Sequence, residues 1–345
     1  MIDPNRMLSW CTDPDRPVKK YVPGLGSLWI VHNPLHIETV LHQEEDSFSK
    51  GGELWAKVRD FLGERSLITI ESPPSHDRKR SDWAKLRAEA MAVLDKVSSD
   101  VIMENAERVC RELHLTILMS GGATEVDLRQ VALSFTGRVM LDALNVPAED
   151  HAEVLALTSE GMGMLTGQML RGFLPLGGWL PSSRRFRAIC KRLTEVLGEE
   201  RDLVVTMLVA GRDTTASGIV SALREPTMLP QDAVAKWAPI YWFPRIARSA
   251  VLLGSNPADT IEPGDTVIIF PYGAYRLHGE GEYAYGWGVR RCAGRWLAQK
   301  MTLVFVARFR EVFDVEPIGE NAAEGGITLW MKHRRAVLRL ANSVH

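Results

Sequence analysis

Cysteine is scarce in this chain. The 345 residues hold four, Cys11, Cys110, Cys190 and Cys292, with no close pair and no Cys-x-x-Cys. A disulfide framework and a structural zinc site are therefore not expected, and reduced thiols in a cytoplasmic setting fit best. An excess of one charge is lacking too. Lys and Arg number 41 against 43 Asp and Glu, a net charge of -2, so nothing global points to nucleic acid or to an anionic membrane surface. No run reads as long and apolar enough to span a bilayer. The first residues, Met1-Ile2-Asp3-Pro4-Asn5-Arg6, show neither a signal-peptide pattern nor an apolar anchor. Internal repeats and Gly/Ser- or Pro-rich linkers are absent as well.

What remains is a chain that is 46% hydrophobic, enough for a large core in one domain or two. Ser27-Leu28-Trp29-Ile30-Val31, bounded by Gly26 and Asn33-Pro34, predicts a strand. The stretch after it, 34–41, predicts a short helix with Pro near its start. Apolar residues three and four apart (Leu86, Met91, Leu94, Val97, Val101) predict helix from about Asp82 to Leu113. Further helices are expected over 126–144, opened by Thr124-Glu125, over 151–170, and over 184–223 as one or two long pieces. Thr266-Val267-Ile268-Ile269-Phe270 predicts a strand after a turn at 262–265. A final helix is expected over 297–313. Segments 327–330 and 336–340 read as a β-hairpin. The sum is mostly α with a small β portion.

One cysteine sits in an unusual setting, Tyr285-Gly286-Trp287-Gly288-Val289-Arg290-Arg291-Cys292-Ala293-Gly294-Arg295. Three glycines let the backbone turn sharply and approach a flat ligand closely. A cysteine at a helix N-terminus, with arginines nearby, is biased toward the thiolate, the form that binds a metal. For a lone cysteine a Gly-rich turn with an incidental buried thiol is the better reading. Here the whole spacing resembles the haem-ligand loop of the cytochrome P450 family, aromatic-x-x-Gly-x-Arg-x-Cys-x-Gly. Tyr285, Gly288, Arg290, Cys292 and Gly294 fall on its five fixed positions, with Tyr285 where the family usually has Phe.

A second segment, Ala210-Gly211-Arg212-Asp213-Thr214-Thr215-Ala216-Ser217, interrupts an apolar helix with poor helix-interior residues. Threonine hydroxyls can loosen a helix locally. Taken alone, a helix end capped by Asp213 or Thr214 explains it. It resembles the same family's oxygen-activation motif, Ala-Gly-x-Asp/Glu-Thr-Thr, and lies upstream of the cysteine loop as the family requires. The resemblance implies that Thr214 hydrogen-bonds the oxygen substrate and that Asp213 helps deliver protons through water. The wording also looks like members that hydroxylate fatty acyl chains.

Haem carries two carboxylates, which need basic partners. The resemblance places His76 and Arg80, four apart after Pro73-Pro74, as one propionate site. Trp83-x-x-x-Arg87 is the family's other version at the same spacing. Arg248 is a third contact, with Arg245 as its alternative, and Arg290 completes the set. A solvated basic surface run is the plainer explanation for Arg78 and Lys79.

The likeness spans about Leu28 to Leu340 and implies one P450-like domain over 1–345. Its β-rich part lies at about 20–50, its helical core at about 82–223 and its haem-binding part at about 240–345. Two features depart from the family. No Glu-x-x-Arg lies between Ser217 and Cys292, and the segment between Arg276 and Tyr285 is short. Natural reduction, engineered deletion and segments missing from the written chain all explain this. Abrupt joints at Arg80-Ser81, Arg224-Glu225, Pro239-Ile240 and Glu280-Gly281 favour the last.

The implied activity is a haem-thiolate monooxygenase that puts one oxygen atom from O2 into a lipophilic small molecule. It would use haem b and electrons from NAD(P)H through a separate reductase or ferredoxin, since no flavin or nicotinamide domain is legible. Arg291, Arg295 and Lys300 would suit an acidic partner, and a solvated helix face explains them equally well. Two rivals stay open: another haem-thiolate chemistry such as peroxygenase, isomerase or cyclase, and a degenerate scaffold that only binds a ligand or partner.

Overall fold

Short polar side chains start three of the long helices. Ser81 Oγ accepts from the Ala84 N–H at 3.2 Å, Ser98 Oγ from the Val101 N–H at 3.2 Å, and the Asp127 carboxylate from the Arg129 N–H at 2.8 Å. Each satisfies an N–H that the helix itself leaves unpaired, a cap contributing about 1 kcal/mol. The structure is a computed structural model and describes residues 3–22, 26–50, 53–70, 81–171, 181–325 and 328–341.

In chain order the helices are α1 (Pro4–Trp10), α2 (Pro34–His42), α3 (Glu44–Ser47), α4 (Glu53–Leu62), α5 (Asp82–Leu94), α6 (Ser99–Met119), α7 (Leu128–Ala143), α8 (His151–Arg171), α9 (Pro181–Leu197), α10 (Arg201–Met207), α11 (Thr214–Arg224), α12 (Pro230–Lys236), α13 (Pro271–His278) and α14 (Arg295–Val312). Between α10 and α11 lies a π-helical turn, Leu208–Asp213. The strands are β1 (Val18–Val22), β2 (Gly26–Val31), β3 (Phe48–Ser49), β4 (Ala123–Asp127), β5 (Phe243–Ala247), β6 (Val251–Leu252), β7 (Thr260–Ile261), β8 (Thr266–Ile269), β9 (Phe313–Pro317), β10 (Ala323–Glu324), β11 (Trp330–Met331) and β12 (Arg335–Leu340).

The largest sheet among the described residues has the order β1-β2-β8-β5-β3, with β2 and β8 parallel and Trp29 opposite Val267. A second sheet, β4-β12-β9, is antiparallel. The main core draws on α6, α7, α11 and α14, where Phe135, Phe305, Phe309 and Phe313 pack in sequence. A smaller apolar cluster joins α4, α8, α9 and α10 through Phe61, Leu165, Phe186 and Val205.

The mostly α reading agrees with this architecture. Three details differ. The expected single helix over 82–113 breaks at 95–98, where Ser98 caps a new helix. The helix expected over 126–144 starts only at Leu128, because 126 and 127 belong to the strand Ala123–Asp127. Among the described residues, which leave out 327, the expected hairpin of 327–330 with 336–340 does not form: Trp330–Met331 pairs with Ala323–Glu324, and β12 pairs with β4 and β9. One run, Ser183–Arg224, is after all long and apolar enough to cross a membrane, but 78% of its apolar window is buried inside the protein, as in a core helix. Near the absent Glu-x-x-Arg, Glu225 accepts from Lys236 Nζ at 2.8 Å and Trp237 Nε1 at 3.0 Å, tying the short α12 to the end of α11.

Candidate active site

The cysteine loop is a set of tight turns that ends on α14. Gly286 and Gly288 take φ of 69° and 62°, a region L side chains avoid. The turn closes with the Cys292 N–H donating to Tyr285 O at 2.8 Å and the Arg291 N–H to Gly288 O at 3.1 Å. Cys292 thereby sits just ahead of α14, where the backbone N–H groups of Gly294 and Arg295 favour its thiolate. The residue is exposed, yet ringed by protein, because it opens onto an internal cavity. Burial pushes its thiol pKa up, and the two N–H groups with the charges of Arg87 and Arg295 oppose that. A Cβ on Gly294 would stand 3.9 Å from the Cys292 sulfur and 3.6 Å from Leu94, so the glycine keeps space beside the sulfur.

The cavity holds about 400 Å³, within the usual range for small-molecule and cofactor sites. Cys292 lines one part of it. Ala210, Gly211, Thr214 and Thr215 from the π turn and α11 line another. Met162, Leu165 and Val209 add apolar wall.

Four arginines line the same cavity: Arg87, Arg245, Arg290 and Arg291. The Trp83 ring lies between two of them, 5.5 Å from the Arg87 guanidinium carbon and 5.4 Å from that of Arg290. Arg87 donates to Arg291 O at 2.9 Å, and Arg290 donates to Ile70 O at 2.8 Å. Burial lowers the Arg87 pKa. Arg245 is only 5% exposed and donates to Pro244 O at 2.8 Å. His76 and Arg80 lie outside the described residues, so of the two spacing matches only Trp83 and Arg87 can be placed. Arg248 is exposed and outside the cavity wall, its N–H donating to Ser47 O at 2.7 Å. Its alternative, Arg245, is the one that faces inward.

The acid and the alcohol diverge. Thr214 lines the cavity, and its hydroxyl donates to Ala210 O. Asp213 is buried and off the cavity wall, with Oδ2 lacking a hydrogen-bond partner. Its neighbours are cationic: Arg212 Nη1 stands 3.9 Å from Oδ2, and Arg129 from the start of α7 adds its field. Burial outweighs both and raises the Asp213 pKa. Arg129 itself lies over the Trp330 ring at 4.4 Å. Sequence reasoning missed Arg129, which has no local signal linking it to Asp213. Tyr285, the departure from the usual Phe, has its phenol pushed up to about 12, by burial first and by the Cys292 charge second. Arg295 lies 5.7 Å from its ring.

A cysteine sulfur facing a cavity can ligate a metal, and arginines on the wall can hold anionic groups. No protein-family model and no curated protein matches the chain. Solved structures do. A cytochrome P450DA mutant heme domain aligns with a TM-score of 0.76 at 13% identity, covering 98% of this chain and 93% of that one. A six-coordinate cytochrome P450 from Thermus thermophilus aligns at 0.70 with 19% identity, covering 97% and 98%. A second P450 from the same species, CYP175A1, aligns at 0.70 with 19% identity, covering 98% and 95%. This chain has the cytochrome P450 fold.

Proposed function

We propose that the chain is a haem-thiolate monooxygenase, with Cys292 as the axial ligand of a haem b. The observation that carries this reading is one cavity bordered by the Cys292 loop, by Thr214 and by four arginines. The donor set fits the group. Gly294 keeps space open at the sulfur, and Arg87, Arg245 and Arg290, all on the cavity wall, would bind the two carboxylates. Trp83, between Arg87 and Arg290, offers a flat face that keeps both guanidinium groups in place. His76 and Arg80 stay in the proposal as further partners.

When bound, a thiolate-ligated haem supplies oxygen activation and insertion, the sulfur pushing electron density toward O–O cleavage. The protein's share is placement and proton supply. The apolar wall of Met162, Leu165 and Val209 excludes water and selects a lipophilic substrate, a fatty acyl chain among them. Thr214 presents a hydroxyl at the wall, and Asp213 holds a proton more readily than an exposed carboxyl does. That proton passes to Thr214 through water. Tyr285, Gly288 and Gly294 shape the loop that presents the sulfur. Electrons derive from NAD(P)H through a separate reductase or ferredoxin that docks near Arg291, Arg295 and Lys300. The setting is cytoplasmic.

Turnover of apolar and fatty-acyl probes tests this. The parent should form product with O2, a reductase and NAD(P)H. Asp213→Asn should lower that rate by about 10²-fold, the size of a positioned proton-transfer step, while peroxide-driven turnover changes far less. Product from peroxide, with none from O2, a reductase and NAD(P)H, would instead support the peroxygenase reading.

A further inference from the structure

We infer that Thr136 and Ser159 are positioning residues that clamp Arg212 and thereby fix the register of acid and alcohol in the π turn. Thr136, on α7, is fully buried. Its hydroxyl lies 2.9 Å from Ala132 O in its own helix and 3.1 Å from Arg212 O in the π turn. It has one proton to give. A threonine inside a helix ordinarily gives it to the carbonyl four residues back. Here a second acceptor stands across the helix interface at nearly the same distance. A π turn departs from the i→i+4 ladder, so a donor from outside helps satisfy its carbonyls.

The side chain of residue 212 is held as well. Arg212 Nη1 donates to Ser159 Oγ at 2.8 Å, and Nε to Leu133 O at 3.5 Å. Gly137 makes the room, since a Cβ there would lie 3.3 Å from Arg212 Nε and 2.9 Å from Leu155 Cδ2. Residue 212 is thus gripped at its backbone by α7 and at its guanidinium by α7 and α8. Its neighbours Gly211 and Thr214 face the cavity, whereas Asp213 does not. Any rotation at 212 therefore changes how the acid stands relative to the alcohol. Helix α8 also lends Met162 and Leu165 to the cavity wall, so the Ser159–Arg212 bond links what fills the cavity to the turn that acts on it. The clamp rests on the monooxygenase reading and adds the positioning residues to it.

The test is amide hydrogen exchange of the full haem-loaded chain, read on peptides covering 208–216. Thr136→Val, which keeps the shape and removes the hydroxyl, should speed exchange there about fivefold, as loss of one net hydrogen bond predicts. Thr136→Ser should return it to the parent value. Ser159→Ala, at an exposed site where folding is not at stake, should speed the same segment about two- to threefold. Exchange in α14 should stay unchanged in all three. Parent-like exchange in Thr136→Val, a Thr136→Ser as fast as Thr136→Val, or an unmoved 208–216 segment in Ser159→Ala each overturn the clamp. If Thr136→Val does not fold, Ser159→Ala decides alone. The reduced carbon monoxide spectrum of the parent sample, recorded alongside, reports separately on the haem-thiolate reading.

Discussion

Cys292 carries opposing demands. Burial raises its pKa, and the Gly294 and Arg295 N–H groups with Arg87 draw it back down. A bound cation resolves the conflict, because a coordinating thiol is deprotonated outright. Cys110, by contrast, is buried in the main core with its thiol pushed up to about 11 by desolvation, which makes it an inert control. A second buried group makes stability depend on pH. His32 is fully buried and stacks on His278 at 5.9 Å, and burial with the His278 charge lowers its pKa to about 4. The unfolded chain binds that proton near the ordinary value of about 6.5, and the folded chain does not. Stability therefore rises with pH across this window and is lost as pH falls from about 6.5 toward 4, by roughly 3 kcal/mol. His32→Phe should flatten the melting-temperature profile between these pH values. A profile as steep as the parent's rules the account out. At this scale the cysteine loop was legible because its residues are neighbours in sequence. Arg245 and Arg248 were not separable, because the sequence shows neither that β5 ends before Arg248 nor which strand face is inward.

Among the elements, the contact of α4 with α8 leaves no slack. A Cβ on Gly161 would come within 2.2 Å of Phe61 Cε2 and 2.5 Å of Cζ, and Phe61 is fully buried with its ring 5.7 Å from Phe186. Gly161→Ala should therefore destabilise the protein despite the better helix propensity of Ala, by about 1–3 kcal/mol of overpacking. Urea unfolding checks this, and a stability equal to or above the parent's contradicts it. Helices were readable from apolar spacing because each buries one stripe. The pairing of β12 was not. Its alternation suits any antiparallel neighbour, and its true partners, β4 and β9, are remote or carry no turn signal toward it. The π turn was legible only as a cluster of poor helix formers. Which carbonyls it would free, and that Thr136 would reach one, depends on α7 lying alongside.

For the molecule as a whole, the function rests on bringing together segments far apart in the chain: α5, the π turn, β5 and the cysteine loop all border one cavity. Two local motifs made that fold legible, since both can be met only if α11 and the loop before α14 face a common space. The basic residues around the cavity were less legible. The Trp83 and Arg87 pair repeats the spacing of His76 and Arg80 seven residues later in the sequence, and only the direction of α5 puts Arg87 on the wall. The central claim is that sulfur 292 holds the haem iron. The most direct measurement is the absorption spectrum of the reduced, carbon monoxide-treated protein for the parent, Cys292→Ser and Cys110→Ser. The account predicts a thiolate-type Soret band in the parent and in Cys110→Ser, and its loss in Cys292→Ser. A band that survives in Cys292→Ser, or that vanishes equally in Cys110→Ser, contradicts it.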